Sequence, residues 1–205
     1  MTAARGDGWA AIDAALARIY GDATPRHFTT VVKYKDGGKD PLDAISVYAC
    51  DEGRPHWHYV TYGFSELGAK TSENRRKSGW GFEMSFRLAR APTDPEPESW
   101  PLVLLQQLAR YVFESGTPFD VGHHIDLGTP LVQGRTMLDV LVFALDAKLG
   151  KIDTPNGRVK FLTPVGIFQA EKASIAANQY YGFLSRYSRD SPLFVTDLER
   201  RTVLV

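Results

Sequence analysis

The chain has 205 residues, 43% of them apolar and 12% aromatic, which is material for a substantial core in one large domain or two very small ones. Its 24 basic and 24 acidic side chains cancel, so composition gives no support to a general attraction to nucleic acid or to an anionic membrane. One cysteine, Cys50, excludes an intramolecular disulfide and a thiolate zinc cluster.

Residues 1–22 lack the basic start and continuous apolar core of a signal peptide, and no apolar run approaches the roughly 20 residues that span a bilayer. The expected location is cytoplasmic. Trp9 to Tyr20 reads as an amphipathic helix, with Ile12, Leu16, Ile19 and Tyr20 at helical spacing and Gly21-Asp22 as its stop. Turn chemistry follows at Asp36-Gly37-Gly38 and Asp40-Pro41. "AISVYAC" and "HWHYVTYGF" are β-branched and aromatic, and read as strands.

A polar connection, "SELGAKTSENRRKS", then runs from Phe64 to Gly79; a loop of that length in a compact domain has a job or is mobile. The strand after it alternates with period two. Trp80, Phe82, Met84, Phe86 and Leu88 share one face, and Gly81, Glu83, Ser85 and Arg87 the other. The apolar face is expected in the core, and Gly79 and Gly81 are expected to let the strand start against a neighbouring backbone.

"APTDPEPES" is a surface loop within one domain. Ser99 to Ser115 is the best helix of the chain, with Ser99 as cap, Pro101 in the first turn and Gly116 at the end. Leu104, Leu105, Leu108, Tyr111 and Val112 form its expected buried stripe. "TMLDVLVFAL" and "GRVKFLTPVGIF" are further strands, the second opened by the "TPNG" turn. "QAEKASIAANQYYGFLSRYS" reads as helix with a break near Gly182, and "PLFVTDLERRTVLV" as two short strands around a polar turn. The order of elements gives a mixed α/β or α+β fold: a largely antiparallel mixed sheet flanked by helices.

Two groups of residues carry the candidate chemistry. His56 and His58 share a strand face, and His123, His124 and Asp126 could add ligands for zinc or non-haem iron if the fold joined them. The plainer reading of these histidines is hydrogen bonding among aromatics. Glu83 and Arg87 stand about 13 Å apart along one strand, too far to pair, so each needs a cross-strand partner; Glu83 is read as structural. No nucleophile elbow, phosphate-cradling loop or dinucleotide fingerprint is present, and no cofactor is expected. The second group is the basic run: Arg75, Arg76 and Lys77 lie in the long loop beside Trp80, and arginine suits bidentate carboxylate binding. A partner-binding surface is expected on Ser65, Arg75, Arg76, Lys77 and Trp80.

"WHYVTYGFSEL", "SGWGFEMSFRLAR" and "WPLVLLQQLARYVFESGTPFDVGHHI", with "TPNGRVKFLTPVGIFQAEKASIAAN" and "LFVTDLERRTVL" after them, resemble the suppressor-of-fused domain in order and spacing from about Thr30 onward. The resemblance implies that domain's fold over residues 1–205 as a single domain. In animals, proteins of that family bind a transcription factor of hedgehog signalling and hold it inactive in the cytoplasm. A second domain there helps clasp an extended peptide that adds as a strand. On this resemblance the chain ends where the second domain would begin. The family's peptide-contacting Tyr falls on Gly68 and its contacting Asp near Arg75, so the animal partner's contacts are not carried over. Single-domain members resemble bacterial proteins, some of them proposed as immunity proteins that neutralise toxins.

The expectation is therefore a non-enzymatic protein-binding module whose partner is a toxin domain or an extended peptide, without nucleic acid or membrane. The alternatives are a metal-dependent enzyme built on the two histidine groups and a structural subunit of a larger assembly.

Overall fold

The computed structural model describes residues 6–175 and 180–201. Helix α1, Asp7–Tyr20, buries Ile12, Ala15 and Leu16, and stops at Gly21, whose φ of 58° lies in the left-handed region that favours glycine. Four strands follow, β1 (Arg26–Thr29), β2 (Ala44–Cys50), β3 (His56–Tyr62) and β4 (Lys77–Ala89), each antiparallel to the one before. After α2, Trp100–Ser115, come β5 (His124–Asp126), β6 (Val140–Leu145), β7 (Lys151–Thr154) and β8 (Gly157–Ile167). Two helices, α3 (Gln169–Ser174) and α4 (Tyr180–Asp190), precede the C-terminal segment.

The strands form one mixed sheet in the order β1-β2-β3-β4-β8-β6-β5, with β7 paired to β8 at its side. The two meanders are joined by the parallel pair β4–β8, which runs from Lys77↔Arg158 through a register shift to Met84↔Leu162. Past that point Thr196 takes the place beside β4. Its N–H donates to the Arg87 carbonyl at 2.8 Å, and its carbonyl accepts from the Ala89 N–H at 2.9 Å.

Period-two alternation sorts each strand between two layers. Helix α2 covers one face, burying Leu104, Leu105, Leu108 and Val112 against Phe82, Met84, Phe86 and Leu88 of β4 and against Ile45, Tyr59, Phe143 and Leu162. Burying those four β4 side chains is worth on the order of 10 kcal/mol before chain entropy opposes it. On the other face α1 covers Tyr48, Val60, Tyr62, Val159 and Phe161, while α4 covers Val140, Val142, Val165 and Ile167 with Phe183 and Tyr187. The α+β architecture expected from the element order is the one observed.

Several details differ from the sequence reading. Strands β1, β5 and β7 are short and half-polar, with too few alternating positions to announce themselves. Tyr111 is exposed and lies against Phe119 instead of entering the α2 stripe. Ser99 makes no side-chain cap, because its own backbone is already helical. Gly182 lies inside α4, not at a break. In the C-terminal segment only the Thr196 bridge replaces the first expected strand among the described residues; residues 202–205, and with them most of the second, lie outside them.

Candidate functional site

The long polar segment after β3 is organised by two carboxylates. Glu83, fully buried on β4, accepts hydrogen bonds from the backbone N–H groups of Gly63 and Ser65 at 3.1 and 2.9 Å. It also accepts from the hydroxyls of Ser65 and Thr61 at 2.6 and 2.7 Å. Burial raises its pKa to about 7, with those donors pulling the other way. Glu66 gathers the rest of the loop, accepting from the backbone N–H groups of Thr71, Ser72 and Gly79 at 2.6, 2.6 and 3.0 Å and from the Lys70 ammonium at 2.8 Å. Burial opposes its ionisation, yet these donors hold its pKa down at about 2. Asn156, in the β7–β8 turn, donates to the carbonyls of Glu66 and Gly68, and the Trp9 N–H of α1 donates to Leu67. The loop is thus pinned from three sides.

Strand β4 begins tight against this loop. Gly79 has φ of 54°, and a Cβ there would stand 2.7 Å from the Phe64 carbonyl oxygen. The close approach expected of Gly79 is observed; Gly81, at φ of 84°, meets only the Lys77 side chain. The kinked start turns Trp80 to a half-buried position beside Phe113, with ring centroids 5.6 Å apart.

Beside Trp80 opens a groove of about 430 Å³ on the sheet face that carries α2, past the end of the helix. Phe119 and Pro118 give it apolar lining, and Arg76, Lys77, Lys151, Arg158 and Lys160 supply its cations. Asp120 is ion-paired with Lys160 at 2.6 Å; although burial opposes it, that contact holds its pKa below the usual range. Arg158 pairs with Asp153 at 3.1 Å. Arg76, Lys77 and Lys151 make no ion pair among the described residues.

A larger cavity, about 650 Å³, lies between α4 and the C-terminal segment. The cations on its wall are internally answered, Arg54 by Asp197, Lys148 by Glu52 and Arg200 by Glu171. Unanswered charge beside an aromatic surface makes the smaller groove the candidate recognition site.

Of the five residues expected at a partner surface, Arg76, Lys77 and Trp80 line this groove. Arg75 faces a neighbouring hollow with Lys70, Glu73 and Asn156. Ser65 is buried, its hydroxyl given to Glu83, and so serves the loop rather than offering a contact. Sequence reasoning missed Lys151, Arg158, Lys160 and Phe119. A signal existed for the first three: the "TPNG" turn leaves the two-residue loop Pro155-Asn156, which fixes Lys151 opposite Lys160.

The two histidine groups do not meet. Strands β3 and β5 are four inter-strand steps apart in the sheet, roughly 19 Å. His56 and His58 lie fully buried between the α1 and α4 cores, where Asp146 holds Arg87 in an ion pair. His58 Nδ1 shares a 2.7 Å hydrogen bond with the Tyr20 hydroxyl, and its Nε2 stands 3.7 Å from Asp146. Burial drives the pKa of His56 down to about 4 and that of His58 well below its ordinary value, so both are neutral. His123 and His124 are exposed, and Asp126 is taken by Lys172 and Gln169. Among the described residues no three His, Cys, Asp or Glu side chains gather to hold a metal ion.

The model of the family described as suppressor of fused protein matches residues 38–201. The chain belongs to the suppressor-of-fused family. It is 34% identical over 209 aligned residues to the suppressor of fused homologs of Homo sapiens and Mus musculus, covering 94% of this chain and 43% of each relative. It thus spans less than half the length of these curated relatives. A chain of the Sufu–Fu complex crystal structure superposes with a TM-score of 0.89 at 34% identity, over 98% of this chain and 93% of that one. Drosophila Suppressor of Fused gives the same TM-score, 0.89, at 32% identity over 98% of this chain and 52% of its own. A putative suppressor-of-fused homolog from Neisseria gonorrhoeae shares the fold at TM-score 0.65 and 16% identity, with 97% of each chain covered. No helix among the described residues is long and apolar enough to cross a membrane.

Proposed function

We propose that this chain is a non-enzymatic protein-binding module of the suppressor-of-fused family, acting as one domain in the cytoplasm, and that it holds its partner in the groove beside Trp80. The observation that carries the reading is a concave surface left uncovered by α2, in which a half-buried tryptophan stands at the kinked start of β4 beside cations that make no ion pair among the described residues. Two further facts support it. The buried titratable groups are spent on structure, Glu83 on the loop and Asp146 on Arg87. A relative of matching fold was crystallised in a complex, the Sufu–Fu complex.

The test is capture of the tagged full chain from its own host at native expression, beside the triple variant Arg76→Glu/Lys77→Glu/Arg158→Glu. All three side chains lie on the surface, so the variant should fold. One stoichiometric partner held by the wild type and lost from the variant is the expected result. A partner retained in full by the variant removes the groove from the account. The narrower reading, an immunity protein, adds a requirement: the captured partner must be toxic when expressed alone, and co-expression of this chain must restore growth.

A further inference from the structure

The strand register places like charges side by side at the groove. Lys151 of β7 is directly opposite Lys160 of β8, and Arg158 of β8 is the parallel partner of Lys77 of β4. Directly opposed like charges destabilise a sheet, and nothing in the core requires cations at these outward positions. Lys160 and Phe82 are partners in the β4–β8 ladder, so its side chain emerges on the face that carries α2. The protein's own carboxylates answer half of the set, Asp120 on Lys160 and Asp153 on Arg158, and leave Lys77 and Lys151 unanswered among the described residues.

The spacing is that of an extended chain. Residues 158 and 160 lie two apart on one strand, roughly 7 Å, which is also the repeat of same-side residues in an extended peptide. The rows Lys151–Lys160 and Arg158–Lys77 therefore match negative side chains at i and i+2. Half-buried Trp80 and exposed Pro118, beside them, offer apolar contact to a flanking residue.

We infer that the groove's occupant is an acidic, extended peptide segment carrying carboxylates at i and i+2, so that a partner's Asp or Glu side chains complete the like-charge rows. This rests on the groove being the partner site and goes further by giving the partner's chemistry. A peptide is favoured over nucleic acid because the cations are few and confined to one short groove on a chain whose net charge is zero.

The test titrates the full chain with a decapeptide of alternating glutamate and threonine, the same peptide with glutamine for glutamate, and a ten-nucleotide oligothymidylate, by calorimetry at low and moderate salt. The expected result is binding of the glutamate peptide, weakening with salt, and no binding of the glutamine peptide. Lys151→Glu/Lys160→Glu should lose about tenfold or more in affinity, the scale of a lost charge-assisted hydrogen bond, and should bind a peptide with lysine for glutamate instead. Equal binding of both glutamate and glutamine peptides, no binding of either, or tighter binding of the oligonucleotide overturns the inference. If the captured partner depends on Arg76 and Lys77 yet is not displaced by the glutamate peptide, the groove stands as the site and its acidic occupant falls.

Discussion

Replacing Glu83 by Gln separates two forces that oppose each other on one buried carboxyl group. Burial raises its pKa from the ordinary 4.5 to about 7, while donors from Ser65, Thr61 and Gly63 favour the ionised form. Between those two values the folded protein binds a proton that the unfolded chain has released. The stability contributed by Glu83 is therefore complete below about 4.5 and is lost as pH rises through about 7. At about 1.4 kcal/mol per pH unit, the interval amounts to about 3 kcal/mol. Glutamine is neutral throughout and suffers no such loss. His56, whose pKa is lowered to about 4, pushes stability the opposite way over part of this range, but it is present in both proteins and cancels in their difference. The stability of the wild type minus that of Glu83→Gln should fall by about 3 kcal/mol from pH 4.5 to pH 8. Urea unfolding followed by tryptophan fluorescence at several pH values measures it, provided both proteins show the same denaturant slope. A difference that stays flat, or that grows in favour of the wild type as pH rises, refutes the reasoning: the donors would then outweigh burial, and Glu83 would fold as a carboxylate.

Three other outcomes follow from the geometry. Lys151→Glu turns a like-charge cross-strand pair into an opposite one with Lys160, and should raise stability by about 0.5 kcal/mol, read in thermal unfolding, while weakening partner binding. Asp146→Asn leaves Arg87 buried without its counter-charge and should cost about 3–5 kcal/mol in urea unfolding; a cost under about 1 kcal/mol would show that the pair is not desolvated as described. Gly79→Ala forces a side chain into a left-handed residue and against the Phe64 carbonyl, and should cost about 2–3 kcal/mol, with the Trp80 emission shifting as the strand start moves.

The core was legible because its signal is periodic. The β4 alternation and the α2 stripe each repeat over enough residues to assign a face, and both were buried as read, except Trp80 at the kinked strand start and Tyr111 at the helix margin. The candidate site was legible only in part. Arg76, Lys77 and Trp80 are close in sequence and stand out as a basic run beside an aromatic, whereas Lys151, Arg158 and Lys160 join them through a parallel pairing that spans about 80 residues. No local pattern announces that pairing. Ser65 was misplaced because a serine in a polar loop looks exposed; its burial follows from a carboxylate 18 residues away. The histidines were separated by strand order, which periodicity does not carry.

Strand order also sets how the molecule comes apart. Strands β1 to β4 pair with sequence neighbours, and β5, β6 and β7 pair within the β5–β8 half, so each half can form from connections far shorter than the one that joins β4 to β8. The halves meet along β4 and β8, a parallel joint interrupted between Lys77 and Phe82 and completed further along by Thr196. Closing that joint spends more loop entropy than closing the pairs within either half, and its opening would part the two halves. Lys77 belongs to one half, and Lys151, Arg158 and Lys160 to the other. A ligand bridging them lies across the joint like a staple, so occupancy should be readable as slowed hydrogen exchange in the β4 and β8 amides far from any contact with it.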